Sequence, residues 1–292
     1  MRGRFVVPLV IAAVLGSGAA LPGRADDAAR KAPMLDEQFQ TINLADARRW
    51  EMFLDPAQRT KAELVERPVF VWTNPTKGKG QHGSVFVWTH DGRPMVVGSI
   101  FVNRTETTQR LMHEFHSLAP LPLHPRCGGC DGESWKPAAG IALQPLKDAP
   151  PPDASAPRRL LQIRMLARQF GGYTFDDWRK LRWELRSLPQ PLYRYQPESG
   201  DVIDGALLGL VTDAGTDPEV LLLLEAHRDA VWHFALLRFS DSSLYVSYQG
   251  REIWKAVRGE GQEQFHNADH TYQLLRMRIV DASELQDLTS KP

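Results

Sequence analysis

Short apolar runs separated by turn-forming residues set the character of this chain. Ser84–Trp88, Met95–Val102, Ala206–Leu210 and Val220–Glu225 are rich in Val, Leu, Phe and Trp. His90–Arg93, Asp213–Asp217 and Ser240–Ser243 supply Asp, Gly and Ser between such runs, so the pattern predicts antiparallel strands joined by tight turns. Near the C-terminus Leu274, Arg276 and Arg278 alternate with Leu275, Met277 and Ile279, as a half-buried strand should. Two stretches have helical spacing instead. Leu160, Ile163, Ala167 and Phe170 recur three and four apart, with Gly171 and Gly172 as the stop. Another helix is expected over Leu44, Ala47, Trp50, Met52 and Phe53, with Asn43 as its cap and Asp46 near its positive end.

The order of these features recurs. Pro68–Pro75 and Pro191–Pro197 each carry a proline, an aromatic residue two positions on, a second aromatic two further, and a closing proline. The next matched glycines, Gly83 and Gly205, lie the same distance beyond. The correspondence reaches His113–His116 beside Trp232–Phe234 and ends at Trp135 beside Trp254. The expected fold is therefore α+β: two tandem related units, each a helix followed by an antiparallel β-meander, packed as a pseudo-twofold pair with a groove between them. The units would span 26–147 and 158–292. The Pro-rich stretch 148–157 would link them, and Ile141–Leu146 and Tyr272–Val280 would be their last strands.

Residues 1–25 change the picture of compartment. Arg2 and Arg4, the apolar run Phe5–Leu15 and the small-residue ending at Ala25 predict a secretory signal peptide. An apolar run of about eleven residues is shorter than the roughly 20 that a membrane helix requires. Cleavage after Ala25 removes three arginines and no acid, so 35 basic residues fall to 32 against 35 acidic ones. That mildly acidic balance excludes a general electrostatic case for nucleic acid. No later stretch reads as a membrane span, because Asp213, Gly215, Asp217 and Pro218 interrupt Ala206–Leu224. A secreted or periplasmic location is the expectation.

Two cysteines are too few for a four-cysteine metal site. Cys127 and Cys130 flank two glycines, and the expected state in an oxidising compartment is a local disulfide, with a metal half-site or an active dithiol as the alternatives. His113 and His116 would share a helix face but point to opposite faces of a strand, and the strand is expected here. His113 and His233 sit at roughly matching positions and are the candidate catalytic residues, though a structural use is the plainer reading. His266, Asp269 and His270 are weak metal candidates, because no third ligand of matched spacing is visible. Asp201 and Asp204 precede Gly205, where capping a turn is the ordinary role. No Gly-x-Ser-x-Gly elbow and no phosphate-binding glycine loop is present, and no cofactor is implied.

The aromatic residues point to binding. Trp72, Trp88, Trp135, Tyr193, Tyr195, Trp232 and Trp254 lie on or beside predicted strands. Core packing accounts for most, and two or three lining a groove would suit a sugar ring or an apolar ligand. Arg67–Trp72, Gly83–Trp88, His113–Leu118, Leu188–Tyr195 and Asp204–Glu225 together resemble a family of uncharacterised secreted proteins of planctomycete bacteria. The resemblance implies export and transfers no activity; the Cys127–Cys130 insertion departs from the pattern. The function expected is a non-enzymatic binding or interaction module for a small molecule, a glycan or an envelope protein. A secreted hydrolase of carbohydrate or ester substrates is the alternative.

Overall fold

In the computed structural model, residues 39–76, 81–104, 109–130, 134–138, 140–177, 179–259 and 268–280 are described; the segment expected as a signal peptide lies outside them. Helix α1 covers 39–47. Strands β1 Trp50–Phe53, β2 Lys61–Leu64, β3 Phe70–Asn74, β4 Gln81–His90, β5 Arg93–Arg104, β6 Gln109–Ser117, β7 His124–Cys127 and β8 Gln144–Pro145 follow. Helix α2, Ala156–Ala167, then precedes β9 Phe170–Asp176, β10 Leu181–Ser187, β11 Tyr193–Tyr195, β12 Val202–Thr212, β13 Pro218–His227, β14 Trp232–Arg238, β15 Ser243–Tyr248, β16 Arg251–Ala256 and β17 Tyr272–Ile279.

The strands form two antiparallel sheets whose layers follow from the two-residue strand period. On β4, β5 and β6, Phe86, Trp88, Val96, Ile100, Leu111 and Phe115 face α1 and its Phe39, Ile42 and Ala47. Their neighbours Val85, Val87 and Val97 turn to the other side, where they meet Leu207, Leu221, Leu223 and Leu237 of the second sheet. The far face of that sheet, through Leu208, Leu210, Leu222 and Leu224, covers Ile163, Leu166 and Ala167 of α2. Burial on both faces explains why β4, β5, β12 and β13 read as almost unbroken apolar runs. Tight reversals sit where Asp and Gly predicted them: Asp91 (φ 49°) and Gly92 (φ 75°) form a left-handed pair between β4 and β5.

The expectation of an α+β protein built from two helix-then-meander units is corrected by this architecture. Among the described residues the fold is mostly β, with 52% strand and 10% helix, and its sheets curl into half-barrels. The apolar runs are buried on both faces, one against a helix and one against the other sheet, so no helix-then-meander unit encloses its own core. Trp50, Met52 and Phe53 leave the expected first helix and form β1, and Asn43, expected as its cap, lies inside α1 with its amide on Ser84 Oγ at 3.1 Å. Gly171 and Gly172 do not merely stop α2. They belong to β9, where a Cβ on Gly172 would overlap the backbone of Tyr245 on the neighbouring β15.

The last strands differ most from expectation. β8 joins β14 in the second sheet, and β17 joins β6 in the first, so each half of the chain contributes a strand to the other half's sheet. The first sheet runs β17-β6-β5-β4-β2-β1-β7, with β3 beside β4. The second runs β16-β15-β9-β10-β12-β13-β14-β8, with β11 beside β12. Apart from the added β16, the positions correspond along the two sheets.

Candidate functional site

Where the exchanged segments cross, a cavity of about 380 Å³ opens between the sheets. Its walls come from Phe234, Leu236 and Arg238 on β14, Ile253 and Trp254 on β16, Ile141 and Ala142 on the approach to β8, and Gln144 on β8 itself. His116 on β6 and Tyr272 at the start of β17 supply buried polar groups to it. The odd spacing along β6 sends His113 towards α1 and His116 to the opposite face.

Burial decides the electrostatics of this end. Glu114 accepts a hydrogen bond from the Tyr272 hydroxyl at 2.6 Å. Burial pushes its carboxyl up to about 8, more than the Tyr272 hydrogen bond and the Arg238 charge bring it down, and Asp241 and Glu219 add to the rise. Burial likewise pushes the His116 imidazole down to about 4, and its Nδ1 lies 2.8 Å from the Ser117 carbonyl. Both groups are therefore uncharged near neutral pH. Arg238 brings a cation: its guanidinium donates to the carbonyls of Ser240, Ser242 and Ala256 at 2.9, 2.7 and 2.5 Å and lies 5.9 Å from the Tyr272 ring centre. The hydrogen bond to Ala256 also ties β14 to the end of β16. The lining combines apolar walls with the neutral His116 ring, the Tyr272 hydroxyl, the anchored Arg238 guanidinium and the Asp269 carboxyl, a mixture suited to binding.

Trp254, Asp269 and His270 are the sequence candidates that line this cavity. Trp135 lies beside it in the core, stacked on Phe115 at 5.4 Å with its indole N–H on the His270 carbonyl at 2.9 Å. The remaining tryptophans pack: Trp72 donates to Ser99 Oγ at 2.9 Å between the sheets, Trp88 sits under α1, and Trp232 packs against the α2 side. His266 lies outside the described residues, and among those described no group of three His, Cys, Asp or Glu is placed to hold a metal.

His113 is sealed in the core. Trp50 donates its indole N–H to Nδ1 at 2.9 Å, and Nε2 lies 3.0 Å from Asp46. Burial pushes the His113 imidazole down further than Asp46 raises it. Burial pushes the Asp46 carboxyl up, but the His113 hydrogen bond and the charges of Arg278 and Arg49 outweigh this and leave it below the usual range. The pair therefore anchors α1.

His233 lies near the start of β14, next to the cavity-lining Phe234, its ring 4.1 Å from that of His227. His227 contacts Glu225, a buried carboxylate that also accepts from Arg93 at 2.8 Å and from Tyr195 at 2.5 Å. The hydroxyl of Tyr193 donates to the Gly92 carbonyl at 3.3 Å nearby. Arg93 belongs to the first sheet and Glu225 to the second, so this cluster joins the two.

No family model, curated protein or solved structure matches the chain. The assignment therefore rests on geometry.

Asp204 and the Tyr272–Glu114 pair occupy places the sequence pattern did not indicate, whereas the Cys127–Cys130 disulfide is the one expected from it. Asp204 is buried, and instead of capping a turn it accepts from Arg159 at 2.9 Å, from Arg194 at 2.6 Å and from Gln196 at 3.1 Å. Cys127 and Cys130 form a disulfide with Cα atoms 5.5 Å apart at the end of β7, and Arg49 donates to the carbonyls of Gly128 and Gly129 between them. The pairing of Tyr272 with Glu114 joins residues 158 apart in sequence, and no local pattern carries it.

Proposed function

We propose that this chain is an exported, non-enzymatic binding module whose ligand occupies the cavity between the sheets. The observation that carries this reading is the convergence of His116 and Tyr272 with the apolar walls formed by Phe234, Leu236 and Trp254. A volume of about 380 Å³ falls within the roughly 300–1,000 Å³ of ligand sites. The lining suits a ligand with an apolar body and a few hydrogen-bonding groups. Export is supported by the charge and hydrophobicity pattern of residues 1–25 and by the paired cysteines, since reducing compartments keep thiols apart. Among the described residues no helix is long and apolar enough to cross a membrane. The hydrolase alternative relies on His113 and His233 or on carboxylates in the groove; neither histidine lines the cavity, and Asp269 is the carboxyl that does.

Ala142 is exposed at the rim, so Ala142→Trp adds bulk there without opening the core. The test is fluorescence of 1-anilinonaphthalene-8-sulfonate with the full chain. Saturable enhancement that Ala142→Trp lowers at least tenfold is expected; enhancement unchanged by the substitution places the dye elsewhere and contradicts the reading.

A further inference from the structure

Hydrogen-bond register along β14 assigns more than a volume to this cavity. β8 pairs with β14 only at His233↔Pro145 and Phe234↔Gln144, and the Leu146 N–H continues the ladder to the Trp232 carbonyl at 2.7 Å. Extended in the other direction, the same register would set Leu236 opposite Ala142 and Arg238 opposite Gly140. The chain does not follow that line. Ile141 donates its N–H to the Ala119 carbonyl of the first half at 3.3 Å, and Gly140 lies so close that a Cβ would overlap the same carbonyl. Residues 140–143 thus peel away from β14 and leave a wedge, which is the cavity.

The backbone of β14 is aimed into that wedge. The Trp232 carbonyl points to the β8 side, whereas the Phe239 N–H, an odd number of residues on, bonds to Glu219 beside β13. Alternation then turns the N–H and C=O of Leu236 towards the wedge, where none of the described strands pairs with them. At the corresponding position of the first sheet β17 occupies this line, pairing with β6 from Tyr272↔His116 to Ile279↔Arg110.

We propose that the wedge receives an extended peptide that adds a strand to β14 beyond β8, an inference that rests on the cavity being the ligand site. Ala235–Leu237, centred on Leu236, offers about 10 Å of edge at roughly 3.3 Å per residue, enough for some three guest residues. Alternate guest side chains meet different surfaces. One set faces Phe234 and Trp254, which pack on the α2 side, and the other faces His116 and Tyr272 of the first sheet. The chemistry that fits is an extended segment alternating apolar residues with residues that carry a hydroxyl or amide.

The probe is a fluorescein-labelled hexapeptide of alternating valine and threonine, titrated into the full chain by fluorescence polarisation. Saturable binding is expected, weakened at least tenfold when amides of one alternate set are N-methylated and little changed when the other set is, because only one set faces β14. Ala142→Trp weakens it as well. Equal tolerance of both methylated forms, or no peptide binding, overturns strand addition. If the peptide fails while anilinonaphthalene sulfonate still binds in an Ala142→Trp-sensitive way, the cavity remains a ligand site and only the peptide assignment falls; if both fail, both readings fall.

Discussion

Along β6 the first sheet continues into β17 through five consecutive pairs from Tyr272↔His116 to Arg276↔Met112, whereas along β14 the second sheet continues into β8 at only His233 and Phe234. An unpaired strand edge presents backbone donors and acceptors that invite another chain. The first sheet covers that edge, and the second leaves part of it open beside the cavity. The helices are anchored by different chemistry too. α1 is held by Asp46 on His113, a partner that can be neutral, while α2 is held by Arg159 on Asp204, a buried arginine–carboxyl pair 2.9 Å apart. The same relative strand order therefore carries an aspartate hydrogen-bonded to a histidine, with the partly exposed Arg49 and Arg278 beside it, on one side, and an aspartate held by two arginines on the other.

The largest expected effect breaks the second anchor. Asp204→Ala leaves Arg159 and Arg194 without their shared anion, and losing one partner of a buried ion pair costs about 3–5 kcal/mol. Asp46→Ala should cost less, on the order of 1–3 kcal/mol, because His113 can stay neutral and the other partners, Arg49 and Arg278, reach solvent. Urea denaturation of both variants measures the difference; equal losses would remove the distinction between the helices.

A device common to both sheets should respond alike. Gly83 lies under the Trp72 indole and Gly205 under the Tyr195 ring, so a Cβ on either would overlap the aromatic ring. Gly83→Ala and Gly205→Ala should each cost about 1–3 kcal/mol by overpacking. Thermal unfolding checks this, and a neutral result for one alone would show that its ring moves aside.

The smallest effect is a pH dependence peculiar to the cavity end. Glu114 keeps its proton in the folded state up to about 8, against an ordinary value of 4.5, so its contribution to stability is complete below about 4.5 and is lost as pH rises through 8. His116, pushed down to about 4 from 6.5, acts oppositely: its contribution is complete above 6.5 and lost as pH falls through 4. Between 6.5 and 8 only Glu114 of the two is changing, and unfolding free energy should fall by up to about 2 kcal/mol. Glu114→Gln should flatten that decline in denaturation curves at the two pH values; an unaltered decline assigns it to other groups.

Local signals carried much of the strand pattern. The turn at Asp91 and Gly92, the alternation over Tyr272–Ile279 and the helical spacing through Ile163 and Ala167 all mark elements that the structure contains. Sheet membership was not legible, because Gln144–Pro145 and Tyr272–Ile279 pair with strands chosen by tertiary packing. The doubly buried runs of β5 and β13 hid the sheet-on-sheet core, since an apolar run alone does not say what covers each face. At the cavity, Trp254, Asp269 and His270 had been singled out from sequence, while Arg238 and Tyr272 had not. Their role comes from the crossing of the two exchanged segments, which no spacing within either half encodes.

Amide hydrogen exchange at Leu236, read against Phe115, tests the open edge most directly. Phe115 faces β17 in a continuous ladder, as the Ser117 N–H bond to Thr271 and the strand register place it. The expected result is fast local exchange at Leu236 and slow exchange at Phe115, with Leu236 slowed by the valine–threonine peptide. Protection of Leu236 equal to that of Phe115 without peptide would mean that residues 140–143 zip onto β14 and close the wedge, contradicting the account.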